Sequence, residues 1–288
     1  MTIATIIVNY NAGDMLLRCV SAVLESNEKS TVTVIDNASS DGSAKNLQKK
    51  YAGHDRIEIQ FNSSNIGFAP AINAAASHLV CNWVLILNPD CILEHETLGR
   101  LKNALEHDPH AGIAGPAVRD DDGKIQRATL RRFPDPWKSF VTASGLWRLS
   151  KWFPAFNGIE VDTTKSTGET VACDAVSGAC MLVRRSAFEA VGFLDEEYAM
   201  HCEDLDLMHR LKDHGWHCLY VARASSTHQQ GLSSRSRPLW VHFQKHRGMA
   251  RFFKKFQAST TSFPVRILVY TGIWSRFIIL CPLVLIRR

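Results

Sequence analysis

The chain has 288 residues, 45% of them hydrophobic, and a formal net charge of +5. This composition excludes a disordered or fibrous protein and suits one large α/β domain or two small ones. Its eight cysteines form no C-x-x-C pair and no regular framework, which indicates reduced thiols in a cytosolic protein. The start, MTIATIIVNYN, shows no signal peptide, so we expect a cytoplasmic catalytic body.

Up to about residue 120, short apolar runs alternate with helical stretches. The predicted strands are 3–8, 32–35, 57–61 and 84–87, and the helices that follow them are 15–24, 44–51, about 68–79 and about 94–106. This alternation predicts an α/β fold with a Rossmann-like, mostly parallel sheet flanked by helices.

The segment 123–170 is rich in Pro, aromatic and Arg residues without clear periodicity, so we interpret it as mobile or facing an acceptor. Regularity then returns in a strand at about 175–183, helices at 186–191 and about 203–214, and a strand at 216–221. We expect a catalytic domain over 1–238, with a nucleotide-binding half at about 1–120 and an acceptor half at about 121–238.

An Asn-Pro-Asp turn follows the continuously apolar strand 84–87, at the edge where open α/β sheets bind ligands. Asn88 and Asp90 can face one point, while Pro89 stiffens the link between them. One carboxylate together with a diphosphate can hold Mg²⁺ or Mn²⁺. Taken alone, the same sequence is more simply a plain turn.

A second polar turn, in VTVIDNASSDGS, follows the strand 32–35 and contains Asp36, Asn37 and Asp41. An ordinary βα loop with a capped helix would have the same composition. The chain has no G-x-G-x-x-G after its first strand and no P-loop sequence, so neither nucleotide fingerprint is present.

Acidic residues crowd the start of the helix predicted at about 203–214. Glu203 and Asp204 could serve only the helix dipole, and Asp206 is placed to form an ion pair with Arg210. Asp204, however, shares a side with the core-facing residues of this helix, so we expect it to point inward as a candidate general base. His228, after the next strand, is either structural or a ligand, depending on its neighbours.

Taken together, these motifs resemble those of family 2 glycosyltransferases, and most closely the bacterial rhamnosyltransferase-like branch that builds surface polysaccharide. The resemblance covers about residues 3–257. The motifs that carry it, in order, are IIVNYN, VIDNASSDGS, NIGFAPAIN, LILNPD, SGACMLVRR, GFLDEEY, HCEDLDLMHRL and the H-Q-Q-G sequence that begins at His228.

The resemblance implies an A-type glycosyltransferase fold and a set of site residues. Asp90 becomes the principal metal ligand, since the family's usual Asp-x-Asp is Asn-Pro-Asp here, and His228 joins the metal or the diphosphate. Asp204, or less readily Glu203, supplies the base. The implied nucleotide-sugar-binding residues are Val8, Asn9, Asp36, Asn37, Asp41, Asn65, Gly67 and Asn88.

The implied activity is inverting, metal-dependent transfer of a sugar from a nucleotide-sugar donor, dTDP-rhamnose being a candidate, to a lipid-linked glycan acceptor in bacterial cell-envelope polysaccharide synthesis. A sugar nucleotidyltransferase would need a Gly-rich basic loop where this chain has NYNAGDMLLRC. A non-catalytic nucleotide-sugar binder or membrane scaffold is the second alternative, against which Asp90, Asp204 and His228 argue.

The C-terminal tail, 239–288, has its own composition. From His214 onward the chain has 12 Lys and Arg but no Asp or Glu, which leaves 21 basic and 28 acidic residues, a net charge of −7, in the rest. A basic tail on an acidic body indicates an anionic surface, and the tail's apolar content favours membrane over nucleic acid.

Within the tail, LWVHFQKHRGMARFFKKF predicts a basic amphipathic helix. Arg266, Arg276 and Pro282 interrupt the apolar end, whose longest uncharged run, 277–286, is shorter than the ~20 residues of a membrane span. We therefore expect an interfacial or re-entrant anchor on the cytoplasmic face of the plasma membrane and no nucleic-acid partner. A packing helix or a dimer interface is the alternative.

Overall fold

A computed structural model describes residues 2–163, 168–229 and 237–286, except for the side chain of Ile286. Its strands are β1 (Ile3–Asn9), β2 (Ser30–Asp36), β3 (Ile57–Phe61), β4 (Trp83–Leu87), β5 (Cys91–Leu93), β6 (Ala111–Arg119), β7 (Leu130–Arg131), β8 (Thr170–Cys173), β9 (Ala175–Val176), β10 (Cys180–Arg184) and β11 (His217–His228). Its α-helices are α1 (Asp14–Leu24), α2 (Ser43–Lys50), α3 (Phe68–His78), α4 (Thr97–His107), α5 (Pro136–Ser144), α6 (Arg185–Ala190), α7 (Glu203–Asp213), α8 (Pro238–Phe256) and α9 (Phe263–Ile286).

Among the described residues, nine strands form one sheet in the order β3-β2-β1-β4-β10-β6-β11-β5, and β8 also pairs with β11. Strands β3, β2, β1 and β4 are parallel, as are β6 and β11. Strand β10 is antiparallel to both neighbours, and β5 and β8 are antiparallel to β11. The α/β prediction is confirmed, and the parallel part of the sheet is concentrated in its first four strands.

Helices cover both faces of this sheet, which explains the uninterrupted apolar strands in the sequence. On β1, Ile6 and Val8 belong to a core with residues of α3, α6 and α7, whereas Ile3 and Ile7 belong to a second core with residues of α1 and α4. Successive side chains of a strand point to opposite faces, so each strand contributes to both cores.

Several element bounds differ from the prediction. The strand expected at 175–183 is two strands, β9 and β10, separated by a turn at 177–179. The three-residue β5 and the whole of β6 were not predicted, and β11 continues to His228. The segment without periodicity contains α5, because Asp135 caps that helix by accepting from the Lys138 amide at 2.7 Å and Pro136 suits its first turn.

Helix α8 packs on the catalytic body. Its Arg251 forms an ion pair with Asp195 at 2.8 Å, and its Lys255 contacts Asp195 at 2.7 Å and Asp206 at 2.6 Å. Asp206 also pairs with Arg210 at 2.5 Å, as the sequence predicted. Two basic residues of the predicted amphipathic helix therefore neutralise the protein's own carboxylates instead of facing an external anion.

Helix α9 is continuous over 24 residues and passes through Pro282. Its stretch Phe263–Leu285, with a mean hydropathy of 1.8, is long and apolar enough to cross a membrane, and none of its most apolar part is buried. Arg266, Arg276 and Pro282, which interrupt the apolar sequence of this segment, therefore lie within one continuous helix.

Candidate active site

The end of β1 and the loop after β2 meet at the carboxyl edge of the parallel strands. Asn9 has no exposed surface. Its side-chain nitrogen, Nδ2, donates to Asp36 Oδ1 at 2.7 Å and lies 2.9 Å from Ser43 Oγ. Asp36 Oδ2 accepts from the Ser39 amide at 3.0 Å. Val8, just before Asn9, is 93% buried and packs in the core. Asn9 and Asp36 thus form one polar unit, with Val8 behind it.

Asp41 joins this loop to the start of α1. Its Oδ2 accepts from the Gly13 amide at 2.8 Å, and its Oδ1 accepts from the hydroxyl of Ser43 at 2.6 Å. Partial burial acts to raise the pKa of Asp41, but the hydrogen bonds from Ser43 and Gly13 outweigh it and lower that pKa. Asp41 is exposed and ionised, facing the open side of the edge.

A third loop, after β3, completes this edge. Asn37 donates to the carbonyl oxygen of Gly67 at 3.1 Å and accepts from Asn62 at 2.8 Å. Asn65 Oδ1 accepts from the Gly67 amide at 3.0 Å. Gly67 has φ of +97°, which favours glycine at this position. The structure thus brings Asn37, Asn65 and Gly67 together next to the Asn9–Asp36 unit.

Asp90 and His228 are neighbours because β5 and β11 pair antiparallel, with His228 opposite Cys91. Asp90 Oδ1 lies 3.2 Å from His228 Nε2, and Asn88 Nδ2 lies 3.5 Å from the same nitrogen. The next residue, Gln229, donates its amide to the Asp90 carbonyl at 3.1 Å. The remainder of the H-Q-Q-G motif, Gln230 and Gly231, lies outside the described residues.

Gln126 determines which nitrogen of His228 carries a proton. Nε2 of the Gln126 side chain donates to the His228 carbonyl at 2.7 Å. The other polar atom of that side chain, Oε1, therefore lies 3.3 Å from His228 Nδ1. Nδ1 must therefore donate, which leaves Nε2 directed at Asp90. Burial acts to lower the pKa of His228, but the hydrogen bond and charge of Asp90 prevail and raise it.

This pair fits a divalent cation. Two ligands at ~2.1 Å from one ion and at right angles to each other are about 3.0 Å apart, close to the 3.2 Å between Asp90 Oδ1 and His228 Nε2. Loss of the Nε2 proton to make room for a cation would leave a neutral His228 whose Nδ1 still donates to Gln126 Oε1, and a histidine ligand is usually held by such a bond from its outer nitrogen. In the described part of the chain, no group of three or more His, Cys, Asp or Glu side chains is arranged to hold a metal. Other ligands would have to come from a substrate or water.

Glu203 and Asp204 have opposite electrostatic surroundings. Burial acts to raise the pKa of Asp204, but Arg131, whose Nη2 lies 2.5 Å from Asp204 Oδ2, lowers it overall. Among the described residues no side chain pairs with Glu203 in this way, and its Oε2 is buried without a hydrogen bond. Burial and then the negative charge of Asp204 raise the pKa of Glu203 to about 8. One carboxylate is held ionised beside one that keeps its proton near neutral pH.

The turn 177–179, just before β10, connects these carboxylates with the Asn-Pro-Asp turn. The Gly178 amide donates to Asp204 Oδ2 at 3.2 Å, and the carbonyl of the next residue, Ala179, accepts from the Asn88 amide at 2.9 Å. A Cβ on Gly178 would lie 2.8 Å from the Cβ of Asp204, so only glycine permits this approach. Two successive residues of this turn therefore contact Asp204 and Asn88.

Unusual backbone conformations concentrate around the same site. Asn11 and Ala38, with φ of 54° and 58°, lie in the loops at the Asn9–Asp36 unit, and His201 and Cys202, with φ of 64° and 71°, immediately precede Glu203. Left-handed conformations of residues other than glycine are costly and persist where the surroundings impose them. The Asn9–Asp36 unit and the Glu203–Asp204 pair are thus each held by a strained loop.

Three residues that shape the site were not predicted from the sequence: Arg131, Gln126 and Gly178. Gly178 had a signal, because a glycine within a predicted strand often marks a close backbone approach. Arg131 and Gln126 lie in the segment without periodicity, where no local pattern distinguishes them. A cavity of about 560 Å³ beside Arg131 is lined by none of the predicted site residues.

The sequence profile described as glycosyl transferase family 2 matches residues 4–192, which include the loops after β1, β2 and β3 as well as β10 and end before Glu203. Among curated proteins, the N-acetylglucosaminyl-diphospho-decaprenol L-rhamnosyltransferase of Mycobacterium tuberculosis is 29% identical over 241 residues, covering 79% of this chain and 76% of that protein. Rhamnosyltransferase WbbL of Escherichia coli K12 is 27% identical over 242 residues, covering 80% and 84%.

Two solved glycosyltransferase structures share the fold. GalNAc-T7, crystallised with UDP, GalNAc and Mn²⁺, superposes with a TM-score of 0.62 at 14% identity over 94% of this chain, and Staphylococcus aureus TarS superposes with 0.57 at 12% identity over 90%. The chain spans 54% and 45% of the lengths of those two structures. At these identities the likeness shows the fold alone.

Proposed function

Because the chain belongs to glycosyl transferase family 2, and is therefore a glycosyltransferase, we propose that it transfers L-rhamnose from a nucleotide donor, dTDP-rhamnose, to a lipid-linked glycan. The sugar and the acceptor are suggested by two similar proteins, one an N-acetylglucosaminyl-diphospho-decaprenol L-rhamnosyltransferase and the other a rhamnosyltransferase. Bacterial cell-envelope polysaccharide synthesis is the corresponding process.

The observation that carries this proposal is the continuity of the site across the turn 177–179. Gly178 contacts Asp204 and the adjacent Ala179 binds the Asn88 amide, so the Glu203–Asp204 carboxylates and the Asp90–His228 pair border the same space. A transferase needs this arrangement, because a donor diphosphate and an acceptor hydroxyl must meet at one carbon atom.

The donor would occupy the edge formed by the first three parallel strands. The buried unit of Asn9 and Asp36 with Asn37 supports this edge, and the exposed Asp41 and Asn65 offer acceptors to a base and ribose. Asp90 and His228, with Asn88 beside them, would hold Mg²⁺ or Mn²⁺ against the diphosphate, and such an ion neutralises the charge that grows on the leaving phosphate.

The acceptor hydroxyl would lose its proton to Asp204 as it attacks the anomeric carbon from the side opposite the nucleotide. The new oxygen–carbon bond forms as the bond to the diphosphate oxygen breaks, so the anomeric configuration inverts. Asp204 suits this role because Arg131 keeps it ionised. Glu203, whose pKa is about 8, is the second candidate for the base.

The enzyme would act at the cytoplasmic face of the plasma membrane. Helix α9 supports this, because none of its most apolar part is buried in the protein and its length would allow it to lie on a membrane or enter one. Removal of residues 263–288 should weaken co-sedimentation with anionic vesicles while donor hydrolysis continues. Equal recovery of both proteins in the soluble fraction would remove the membrane proposal.

A panel of donors tests the transfer itself. Full-length protein with Mn²⁺ is given dTDP-rhamnose, UDP-N-acetylglucosamine, UDP-galactose or GDP-mannose, together with polyprenyl-diphospho-N-acetylglucosamine as acceptor, and labelled sugar in the lipid fraction is counted. We expect label from dTDP-rhamnose. Transfer from another donor would replace rhamnose, and binding of donors without any transfer would favour the non-catalytic alternative.

A further inference from the structure

A basic cavity of about 230 Å³ lies between α8 and α9. Lys245, His242 and His246 of α8 and Arg276 of α9 line it together with apolar residues of α9, among them Leu280 and Leu283. The cavity is smaller than the ~300–1,000 Å³ that accommodates a drug-sized ligand, so its size suits a head group, not a whole glycan. Its lining combines positively charged side chains with apolar side chains of α9.

The two strong cations of this cavity have no acidic partner. Neither Lys245 nor Arg276 forms an ion pair with a carboxylate in the described part of the chain. Partial burial and the nearby charge of Arg276 both lower the pKa of Lys245. The carboxylate of Glu160 acts to raise the pKa of Lys245, but Glu160 is itself paired with Arg127. Two like charges held together without a counter-ion indicate a site for an anion.

The histidines supply a second, independent observation. His246, which has no exposed surface, donates from Nδ1 to the His242 carbonyl at 2.8 Å, and its Nε2 is buried without a hydrogen-bond partner among the described residues. His242 is held by its Nε2, which donates to the Phe277 carbonyl at 3.1 Å. A buried polar atom without a partner costs free energy unless a ligand satisfies it. Burial and the neighbouring His242, Arg276 and Lys245 lower the pKa of His246. An anion in the cavity would act in the opposite direction, and with a proton on Nε2 His246 would donate to it.

The helix that carries Lys245 packs against the loop that leads into Glu203. A Cβ on Gly248, three residues after Lys245 and thus on the same side of α8, would lie 2.7 Å from the carbonyl oxygen of His201. The loop of His201 and Cys202 leads directly into Glu203. The positive charge of Lys245 also acts to lower the pKa of Cys202, although burial raises it overall. An anion beside Lys245 would therefore lie near the loop that leads to the proposed base.

We infer that this cavity binds the diphosphate of the lipid-linked acceptor, with Lys245, Arg276 and His246 on the phosphates and the lipid chain along the apolar side of α9. This inference rests on the proposed function, since it assigns the acceptor's anionic link to a site of its own. It also explains the placement of α8 and α9: the helix that carries Lys245 contacts the catalytic loop, and the helix that carries Arg276 exposes an apolar surface.

Vesicle binding by the full-length protein tests the inference. Three vesicle types share a phosphatidylcholine background and contain long-chain polyprenyl diphosphate, the uncharged polyprenol, or phosphatidylglycerol matched in total charge to the first. The double variant Lys245→Gln, Arg276→Gln is compared with the double variant Arg247→Gln, Lys254→Gln. The second removes the same charge from exposed residues of α8 that do not line the cavity and form no ion pair within the described part of the chain. Inorganic pyrophosphate in solution serves as a competitor.

We expect the unaltered protein to prefer polyprenyl diphosphate over both other vesicles. Two lost charge-assisted contacts should weaken that binding about tenfold or more in the cavity variant, while the control variant keeps the preference. Pyrophosphate should compete, because it carries the same chemistry without the lipid. Donor binding by calorimetry should be the same in all three proteins, which shows that each is folded.

An equal loss in both variants, an unchanged preference in the cavity variant, or equal binding to phosphatidylglycerol vesicles would overturn the inference. A transfer assay separates it from the proposed function. Equal transfer to the same acceptor sugar on a lipid diphosphate and on an uncharged alkyl chain would remove the diphosphate site and leave the transferase intact. No transfer from any donor would remove the proposed function, and vesicle binding would still decide the anion site.

Discussion

The donor edge and the acceptor side of the active site are built in different ways. At the donor edge, both carboxylate oxygens of Asp36 accept hydrogen bonds, one from Asn9 Nδ2 and the other from the Ser39 amide. On the acceptor side, Glu203 keeps a buried oxygen without a partner, and Asp204 depends on Arg131, 73 residues away in sequence. The pKa of Asp41 is lowered, whereas that of Glu203 is raised to about 8. The edge at which the Asp36 carboxylate is fully hydrogen-bonded is suited to holding a substrate. The side at which Glu203 has an unpaired carboxyl oxygen is suited to exchanging a proton.

The largest effect should come from Asp90→Asn. The variant removes the negative charge that holds a cation beside His228, and loss of several kcal/mol of charge stabilisation lowers turnover by about 10⁴-fold. Asn88→Ala should cost less, since its amide is uncharged. Nucleotide release in Mn²⁺ measures both, with Asp55→Asn, whose side chain is 91% exposed, as the control. Full activity of Asp90→Asn in excess chelator would contradict the metal role.

Asp204→Asn should lower sugar transfer by about 10³-fold, the middle of the ~10²–10⁴ range for a general base. The side-chain oxygen of the introduced asparagine can still accept from the Gly178 amide, so the turn 177–179 should keep its place. Asp213→Asn, at the other end of α7 and paired only with His209 among the described residues, is the matched control. Transfer at the unaltered rate would pass the role of base to Glu203.

Gly178→Ala should lower kcat by about 10- to 10²-fold with little change in the KM for the donor, because a small misplacement of a catalytic group is enough for such a loss. The new Cβ would displace Asp204, from whose Cβ it would lie 2.8 Å. Gly272→Ala places a Cβ in open space and serves as the control. A raised donor KM with normal kcat would put Gly178 in the donor edge instead.

The smallest effect concerns stability and pH. Between the ordinary pKa of 4.5 and about 8, folded Glu203 keeps a proton that the unfolded chain releases. The free energy of unfolding should therefore fall as pH rises through this window, by at most about 1.4 kcal/mol per pH unit. Glu203→Gln should flatten the slope, whereas the exposed Glu106→Gln should not. Urea unfolding of the unaltered protein and both variants at about pH 5, 6, 7 and 8 measures this slope. The same slope in the unaltered protein and in Glu203→Gln would contradict the raised pKa.

The donor edge could be predicted because it depends on local rules. Parallel strands place their carboxyl ends at one edge, so Asn9, Asp36 and the Asn-Pro-Asp turn had to come close together once the strands were recognised. The pairing of Asp90 with His228 was expected from the family resemblance, and the three-residue β5 that produces it was too short for any periodic signal.

The acceptor side could not be predicted in the same way, because long-range contacts build it. Strand β10 enters antiparallel between β4 and β6, and a turn separates it from β9, which a continuous apolar run does not reveal. Arg131 reaches Asp204 from a segment without periodicity. Helix α8 was expected at a membrane, and its Arg251 and Lys255 instead pair with carboxylates of the body, since charge and amphipathicity alone do not identify the partner.

The central claim is that Asp90 serves the donor and Asp204 serves the acceptor. Calorimetric titration of the donor nucleoside diphosphate in Mn²⁺, into the unaltered protein, Asp90→Asn and Asp204→Asn, tests it most directly. We expect Asp90→Asn to lose the metal-dependent part of binding and Asp204→Asn to stay within about tenfold of the unaltered protein, equivalent to ~1.4 kcal/mol. Collapse of donor binding in Asp204→Asn, with normal binding in Asp90→Asn, would contradict the division of the site.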